Sequence, residues 1–169
     1  HEIQLFGGGK ASFSGDSITI KNGGTMVLKA GGNYVFDDVD LKNGGVIEID
    51  NTTPVAGASA GDPVKIYVRG DLSAAGQFVQ NSNQMKIYGL NTDTVVRQSF
   101  DIGGNADTYI DLYAPCADVV LRGSGIFYGR IYGYDVDIQA SFYFDQALES
   151  LGLEALGQPQ VVVPAHLVN

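Results

Sequence analysis

Hydrophobic and polar positions alternate in short runs along most of the chain, and the runs are bounded by glycine, asparagine or aspartate. In residues 17–21, for example, Ile18 and Ile20 alternate with polar residues, and an Asn-Gly-Gly turn signal follows at 22–24. Alternation with a period of two predicts a β-strand with one buried face. The same pattern predicts strands at residues 25–29, 34–36, 39–41, 46–50, 64–69, 84–88, 108–113, 118–121, 127–132 and 135–138.

The aliphatic residues of these runs recur with a longer period. The spacings are 21, 23 and 21 residues between Ile66, Ile87, Ile110 and Ile131, 21 between Ile20 and Leu41, and 17 between Leu121 and Ile138. A period of about twenty residues favours a solenoid, because each coil buries its inward side chains only by stacking on its neighbours. We therefore predict an all-β fold, a right-handed parallel β-helix. Turn signals at intervals of about 8–12 residues also occur, so an antiparallel β-sandwich is the alternative.

A repeated aromatic motif supports the solenoid. Tyr113 and Tyr132 each precede a bend and then an Asp-Val strand start at Asp118 and Asp135. The two copies are 19 residues apart at the tyrosines and 17 apart at the aspartates. We expect these elements to stack on one another in adjacent coils.

The C-terminal part of the chain has a different pattern. Apolar residues at Leu148, Leu151 and Ala155, after the N-cap candidate Asp145 and before Gly157, predict a short α-helix. Such a helix would cap the open core and strand edges of the last coil. We predict one β-helix domain over residues 1–157, including a cap helix at about 145–157, followed by a C-terminal strap or linker at 158–169.

Composition and charge narrow the classes of partner. The chain has 23 Gly, 9 Tyr, 8 Phe and no Trp, and only 17% of its residues are charged, which suits many short strands and tight turns. Its formal net charge of −9 disfavours binding to nucleic acid and to anionic lipid surfaces. No uninterrupted apolar run reaches the length of about 18 residues that a transmembrane helix needs.

The residues for catalysis or metal binding are sparse. Both histidines, His1 and His166, lie near the ends of the chain, and Cys116 is the single cysteine, which we interpret as a small buried residue. Clustered acidic residues could form a glycosidase pair or ligate calcium, but ordinary turn chemistry explains them better. These acidic residues are Asp37, Asp38, Asp40, Asp135 and Asp137. We expect no catalytic residue, no cofactor and no metal site.

Enzymes that cleave polysaccharides with a β-helix need a long cleft with several basic residues. Here the four arginines, at 69, 97, 122 and 130, are scattered along the chain, and Trp is absent as a platform for sugars. Tyrosines could take that place. The candidate surface contacts are Tyr67, Tyr88, Tyr109 and Tyr128. The competing interpretation is that they stack on one another between coils.

Residues 109–131, with the sequence YIDLYAPCADVVLRGSGIFYGRI, and the ending FYFDQAL at 142–148 resemble a known family. It is a domain of unknown function found at the C-terminal end of PilX-like type IV pilus assembly proteins and related bacterial envelope proteins. The resemblance covers roughly residues 60–151. This chain departs from the pattern at Cys116, where the family usually has Asn. The resemblance implies an extracytoplasmic, non-catalytic domain and transfers no functional residues.

These observations together predict a non-catalytic structural or binding module of the cell exterior or envelope, associated with pili, adhesion or surface assembly. Its expected partner is a protein or a glycan at the cell surface. One alternative is a β-helix protein that binds or cleaves polysaccharides. Another is a self-assembling scaffold similar to the bactofilins, whose open apolar ends would polymerise.

Overall fold

The computed structural model describes residues 4–6, 10–14, 16–21, 23–75, 77–79 and 85–144. These residues form strands and turns and contain no helix. The predicted cap helix at 145–157 and the strap at 158–169 lie outside the described residues. The strands are β1 (Gln4–Phe6), β2 (Lys10–Ser14), β3 (Ser17–Lys21), β4 (Thr25–Lys29), β5 (Asn33–Phe36), β6 (Val39–Leu41), β7 (Val46–Asp50), β8 (Val64–Val68), β9 (Leu72–Ala74), β10 (Gln77–Val79), β11 (Met85–Gly89), β12 (Gln98–Gly104), β13 (Thr108–Gly123), β14 (Ile126–Ile138) and β15 (Ser141–Phe144).

The strands stack into a β-solenoid of about five turns with three faces. Face A contains β4, β7 and β10; face B contains β5, β8, β11, the first halves of β13 and β14, and β15; face C contains β3, β6, β9, β12 and the second halves of β13 and β14. Every pairing among the strands β3 to β15 is parallel. The predicted parallel β-helix is therefore confirmed, and the antiparallel sandwich is wrong.

The core is built from columns of inward side chains, one from each coil. One column on face C contains Ile18, Val39, Leu72, Phe100 and Val119, and its neighbour contains Ile20, Leu41, Ala74, Ile102 and Leu121. All ten side chains are buried. Full burial of a large apolar side chain contributes about 1.5–3 kcal/mol, so the repeated stacking of such residues is what stabilises successive coils.

Most of the predicted coil-to-coil partners are correct. Ile66 pairs with Ile87, Ile20 with Leu41 and Leu121 with Ile138. The spacing also predicts that Ile110 is the partner of Ile87 and Ile131, and this prediction is wrong by two residues. Leu112 is the partner of both Ile87 and Ile131, and Ile110 pairs with Gly129. The reason is that Ile110 and Leu112 are both inward aliphatic residues on one strand. The alternation of buried and exposed positions therefore does not show which of them pairs with Ile87 and Ile131.

The repeated aromatic motif stacks as predicted. Tyr113 pairs with Tyr132 and Asp118 pairs with Asp135, with a register shift between Ala114 and Asp118. The shift absorbs the difference between the spacings of 19 and 17 residues, because the extra residues form a bulge at the corner between faces B and C. Cys116 lies in this bulge and is partly exposed, so the interpretation of a buried cysteine is not correct.

The first coil is covered by two strands that run the other way. The strand β1 pairs antiparallel with β4 on face A, and β2 pairs antiparallel with β3 on face C. Both pairings cover edges that would otherwise expose unpaired backbone N–H and C=O groups. The parallel ladders of these two faces therefore end at the N-terminal side of the solenoid.

A buried glutamine holds the corner between faces B and C. Gln98 is 4% exposed, and its Nε2 donates to the carbonyl oxygens of Val68, at 3.0 Å, and of Gly70. Its Oε1 accepts a hydrogen bond from the Asn91 N–H at 3.1 Å. One side chain thus connects β12, the end of β8 and the loop after β11.

We expect Gln98→Leu to lower the free energy of unfolding by about 2 kcal/mol, because the carbonyls of Val68 and Gly70 and the Asn91 N–H would lose their partner in a buried corner. Chemical denaturation measures this loss. Gln139→Leu is the matched control, since Gln139 is exposed, and its change should stay within about 0.5 kcal/mol. Equal losses in the two variants would contradict the role of Gln98.

Candidate functional site

The outward residues of face B form three columns, which we call together the tyrosine face. One tyrosine column contains Tyr67, Tyr88, Tyr113 and Tyr132; the charged column beside it contains Lys65, Lys86, Asp111 and Arg130; the second tyrosine column contains Tyr109, Tyr128 and Tyr143. Alternation along each strand points these residues away from the core, and the parallel register aligns them from coil to coil. A local pattern therefore becomes an ordered surface along the solenoid.

The tyrosine rings stack on one another between coils. Ring centroids are 5.1 Å apart in Tyr67–Tyr88, with an interplanar angle of 17°, and 4.9 Å apart in Tyr109–Tyr128, with an angle of 20°. The pairs Tyr113–Tyr132 and Tyr128–Tyr143 are stacked in the same way, at 5.1 and 5.6 Å. Such a pair contributes about 0.5–1.5 kcal/mol beyond its buried area. Stacking covers the ring faces that meet within each pair, so these pairs present mainly ring edges and hydroxyl groups to solvent.

The four predicted contact tyrosines thus belong to two columns rather than one. Tyr67 and Tyr88 lie in the first column, and Tyr109 and Tyr128 lie in the second. The predicted cross-coil stacking is confirmed, and the contact role stays a prediction. The predicted contact residues did not include Tyr113, Tyr132 and Tyr143, which also stack on this face. The signal that could have found the first two is the four-residue step from Tyr109 to Tyr113 and from Tyr128 to Tyr132, which keeps both residues on one face of a strand.

The charged column lies beside the first tyrosine column, and at Asp111 and Arg130 it lies between both tyrosine columns. The Asp111 Oδ2 accepts a hydrogen bond from the Arg130 Nη2 at 2.8 Å and lies 3.7 Å from the Lys86 Nζ. The exposed fractions of these side chains are 14%, 13% and 19%. With Lys65 the column holds three cations and one anion, so it is locally positive in a chain whose net charge is −9.

The hydroxyls of Tyr88 and Tyr128 stay protonated at neutral pH. Burial raises the pKa of Tyr88 above its ordinary value, and the neighbouring Asp111 carboxylate adds to the effect. Desolvation, followed by the nearby Asp107, raises the pKa of Tyr128. Each hydroxyl can therefore donate one hydrogen bond and accept others.

The clustered aspartates are part of the corner between faces B and C. The carboxylate of Asp38 accepts hydrogen bonds from the Asp71 N–H at 2.8 Å and the Ser17 hydroxyl at 2.9 Å. The Asp71 carboxylate in turn accepts one from the Ser99 N–H at 2.8 Å. These contacts connect successive coils, which supports the interpretation of the aspartates as turn chemistry.

The other aspartates from the sequence prediction also have local partners. Asp37 pairs with Arg69 at 3.0 Å, and Asp40 pairs with Lys42 at 2.7 Å. Asp135 is the register neighbour of Asp118 and lies near the Arg97 guanidinium, and Asp137 accepts a hydrogen bond from the Gln139 side chain at 2.6 Å. Within the described ranges, no group of three or more His, Cys, Asp or Glu side chains is placed to hold a metal ion.

The structure does not gather the four arginines into one cleft. Each pairs with an aspartate of its own: Arg69 with Asp37, Arg97 with Asp118, Arg122 with Asp101 and Arg130 with Asp111. The Arg97 guanidinium also lies over the Tyr134 ring, 4.5 Å from its centroid. Only Arg130 belongs to the tyrosine face.

The stacked coils and their side-chain columns define the chain as a parallel β-solenoid. The chain belongs to the family described as a domain of unknown function (DUF7305), whose model matches residues 8–151. This match spans the region of the resemblance seen in the sequence and also the N-terminal coils, but it names only a domain of unknown function and does not link the chain to pilus assembly proteins. Neither a curated protein nor a solved structure matches the chain significantly. No helix in the described part of the chain is long and apolar enough to cross a membrane.

Proposed function

We propose that this chain is a non-catalytic structural or binding module of the cell exterior or envelope, acting in adhesion, pilus assembly or another surface assembly. The observation that supports this proposal is the tyrosine face. It is continuous over several coils, and its side chains are held in place by stacking and by the Lys86–Asp111–Arg130 contacts. Side chains that are already ordered lose little conformational entropy on binding, and tyrosine is enriched in binding interfaces.

The alternative of a self-polymerising scaffold has less support. Growth by adding coils needs two ends at which a parallel strand can pair. On faces A and C the antiparallel strands β1 and β2 occupy that position at the N-terminal side. A second copy would meet these covering strands instead of open parallel edges. The surface along the solenoid, rather than its end, is therefore the better contact site.

Two measurements on the native full-length protein test this proposal. We expect cell fractionation to recover it with the envelope or the medium, and we expect a label that cannot cross the membrane to react with it on intact cells. We also expect no new reducing ends when the purified chain is incubated with acidic or neutral polysaccharides. A cytosolic location or the release of cleaved product would contradict the proposal.

The contact surface has its own variant test. Tyr109→Ser combined with Tyr128→Ser should reduce binding of the purified chain to isolated envelopes about tenfold, because two aromatic contacts are lost. Val95→Ser combined with Tyr134→Ser is the control, since it removes two exposed apolar side chains outside the tyrosine face. Both double variants are compared only after thermal unfolding shows that they are folded. Equal binding by the two variants would exclude the tyrosine face as the contact surface.

A further inference from the structure

The proposed contact surface carries a charge that is opposite to that of the whole chain. The charged column contains three cations, Lys65, Lys86 and Arg130, and one carboxylate, Asp111, which contacts Lys86 and Arg130. Asp107 lies near Tyr128 at the edge of this face, and its Oδ1 already accepts the Ile126 N–H at 3.1 Å. The net charge of −9 repels polyanions from the molecule as a whole, so a positive strip is a local feature that favours an anionic ligand on this face.

The orientation of the rings points to the same kind of ligand. The π-system of an aromatic ring is negative over its faces and positive at its edge. Stacking at 4.9–5.6 Å places the faces against one another, so the edges and the hydroxyl protons point outward. Ring edges and hydroxyl donors attract carboxylate oxygens. Neutral sugars would instead stack on exposed ring faces. Within the tyrosine face the most exposed tyrosines are Tyr132 and Tyr143, which lie near the C-terminal end of the columns.

The ligand backbone must also suit the face of a sheet. An extended peptide is bound by pairing with a sheet edge, where unpaired N–H and C=O groups are available. On the tyrosine face these groups are engaged in the parallel ladders, and only side chains are presented. A polymer rich in hydroxyl groups can pair with tyrosine hydroxyls, each of which both donates and accepts.

We infer that the tyrosine face binds an extended acidic polysaccharide that lies along the solenoid axis. Its carboxylates would pair with Lys65 and Lys86, and its hydroxyls would pair with Tyr67 and Tyr88 beside them and with the tyrosines of the following coils. The ligand class is thus a carbohydrate polymer with repeated uronic acid groups. This inference rests on the proposed function, because it names the partner of the same surface.

The test measures binding of the purified full chain to polygalacturonate, alginate and hyaluronate by calorimetry. We expect binding to at least one of the three. We also expect binding at least ten times weaker to methyl-esterified polygalacturonate, which keeps the backbone and loses the charge, and to poly-glutamate, which keeps the charge and loses the sugar. No binding to any of the three, or equal binding to the ester or to poly-glutamate, would overturn the inference.

Two double variants with the same change in net charge locate the site. Lys65→Gln with Lys86→Gln should weaken binding about tenfold or more, because two charge-assisted contacts are lost. Lys42→Gln with Arg122→Gln removes two exposed cations that pair with Asp40 and Asp101, outside the tyrosine face, and should change affinity less than about twofold. Equal weakening would show that only overall charge matters and would overturn the inference.

These outcomes separate the inference from the proposal on which it rests. A chain that stays in the envelope and needs Tyr109 and Tyr128 for envelope binding, yet binds none of the acidic polysaccharides, overturns the inference alone. Release of cleaved product or a cytosolic location overturns the proposed function as well. Binding of an acidic polysaccharide without cleavage, by a chain found at the envelope, supports both the inference and the proposed function.

Discussion

Gly129→Ala is expected to lower the free energy of unfolding by about 3 kcal/mol or more, since left-handed strain alone costs about 1–3 kcal/mol. Gly129 has φ +135°, which side chains rarely adopt, and a Cβ at this position would collide with the carbonyl oxygen of Ile110 in the coil below. That oxygen belongs to the backbone and cannot move without displacing a strand. For a domain of this size we expect thermal unfolding to show a loss of roughly 10 °C.

The control separates the collision from the backbone strain. Gly57 has φ +86°, but a Cβ there would have no neighbour within 4 Å. Gly57→Ala should therefore cost only the strain of a left-handed alanine, about 1–2 kcal/mol. If the two variants lost the same stability, close stacking of the coils would not be the reason why glycine is needed at position 129.

Gly129 also connects packing with the candidate site. It lies between Tyr128 and Arg130, and both neighbours belong to the tyrosine face. Because the backbone at Gly129 approaches Ile110 closely, the strand β14 remains near β13 at the point where the Tyr109–Tyr128 rings stack. A variant that pushes these strands apart would disturb both tyrosine stacking and the Arg130–Asp111 contact. Stability and binding are thus expected to fall together at this position.

The solenoid could be predicted because its signals are local and repeated. Alternation marks each strand, turn residues mark each corner, and the stacking of Tyr113 on Tyr132 follows from one repeated motif. The error at Ile110 shows where this reasoning ends. The coil-to-coil register depends on the number of residues in the loop at 90–97 and in the turn at 105–107. The alternation pattern does not indicate either number.

The candidate site could be predicted only in part for the same reason. Outward tyrosines were identified from alternation, but their separation into two columns requires the register of every coil. The pairs Lys86–Asp111 and Asp111–Arg130 join residues 25 and 19 positions apart, and no motif marks them. The positive strip on the tyrosine face therefore emerges only when the coils are stacked.

Asp111→Asn is expected to lower the free energy of unfolding by about 3 kcal/mol, because removing one partner of a buried ion pair leaves a charge without compensation. The Asp111 side chain is only 14% exposed, and it serves both Arg130 and Lys86. The Arg130 Nε and Nη1 atoms are already buried without a hydrogen-bond partner, so its contact with Asp111 is hard to replace. Chemical denaturation of the folded variant measures the loss.

Asp101→Asn is the matched control for this prediction. Asp101 also pairs with an arginine of a neighbouring coil, Arg122, but the exposed fractions of the two side chains are 37% and 54%. Exposed pairs contribute about 0–1 kcal/mol, so this variant should lose less than about 1 kcal/mol. The Asp111 change also adds one net positive charge to the charged column. If the inference about acidic polysaccharides holds, Asp111→Asn binds them more tightly although it is less stable, and Asp101→Asn changes neither property appreciably.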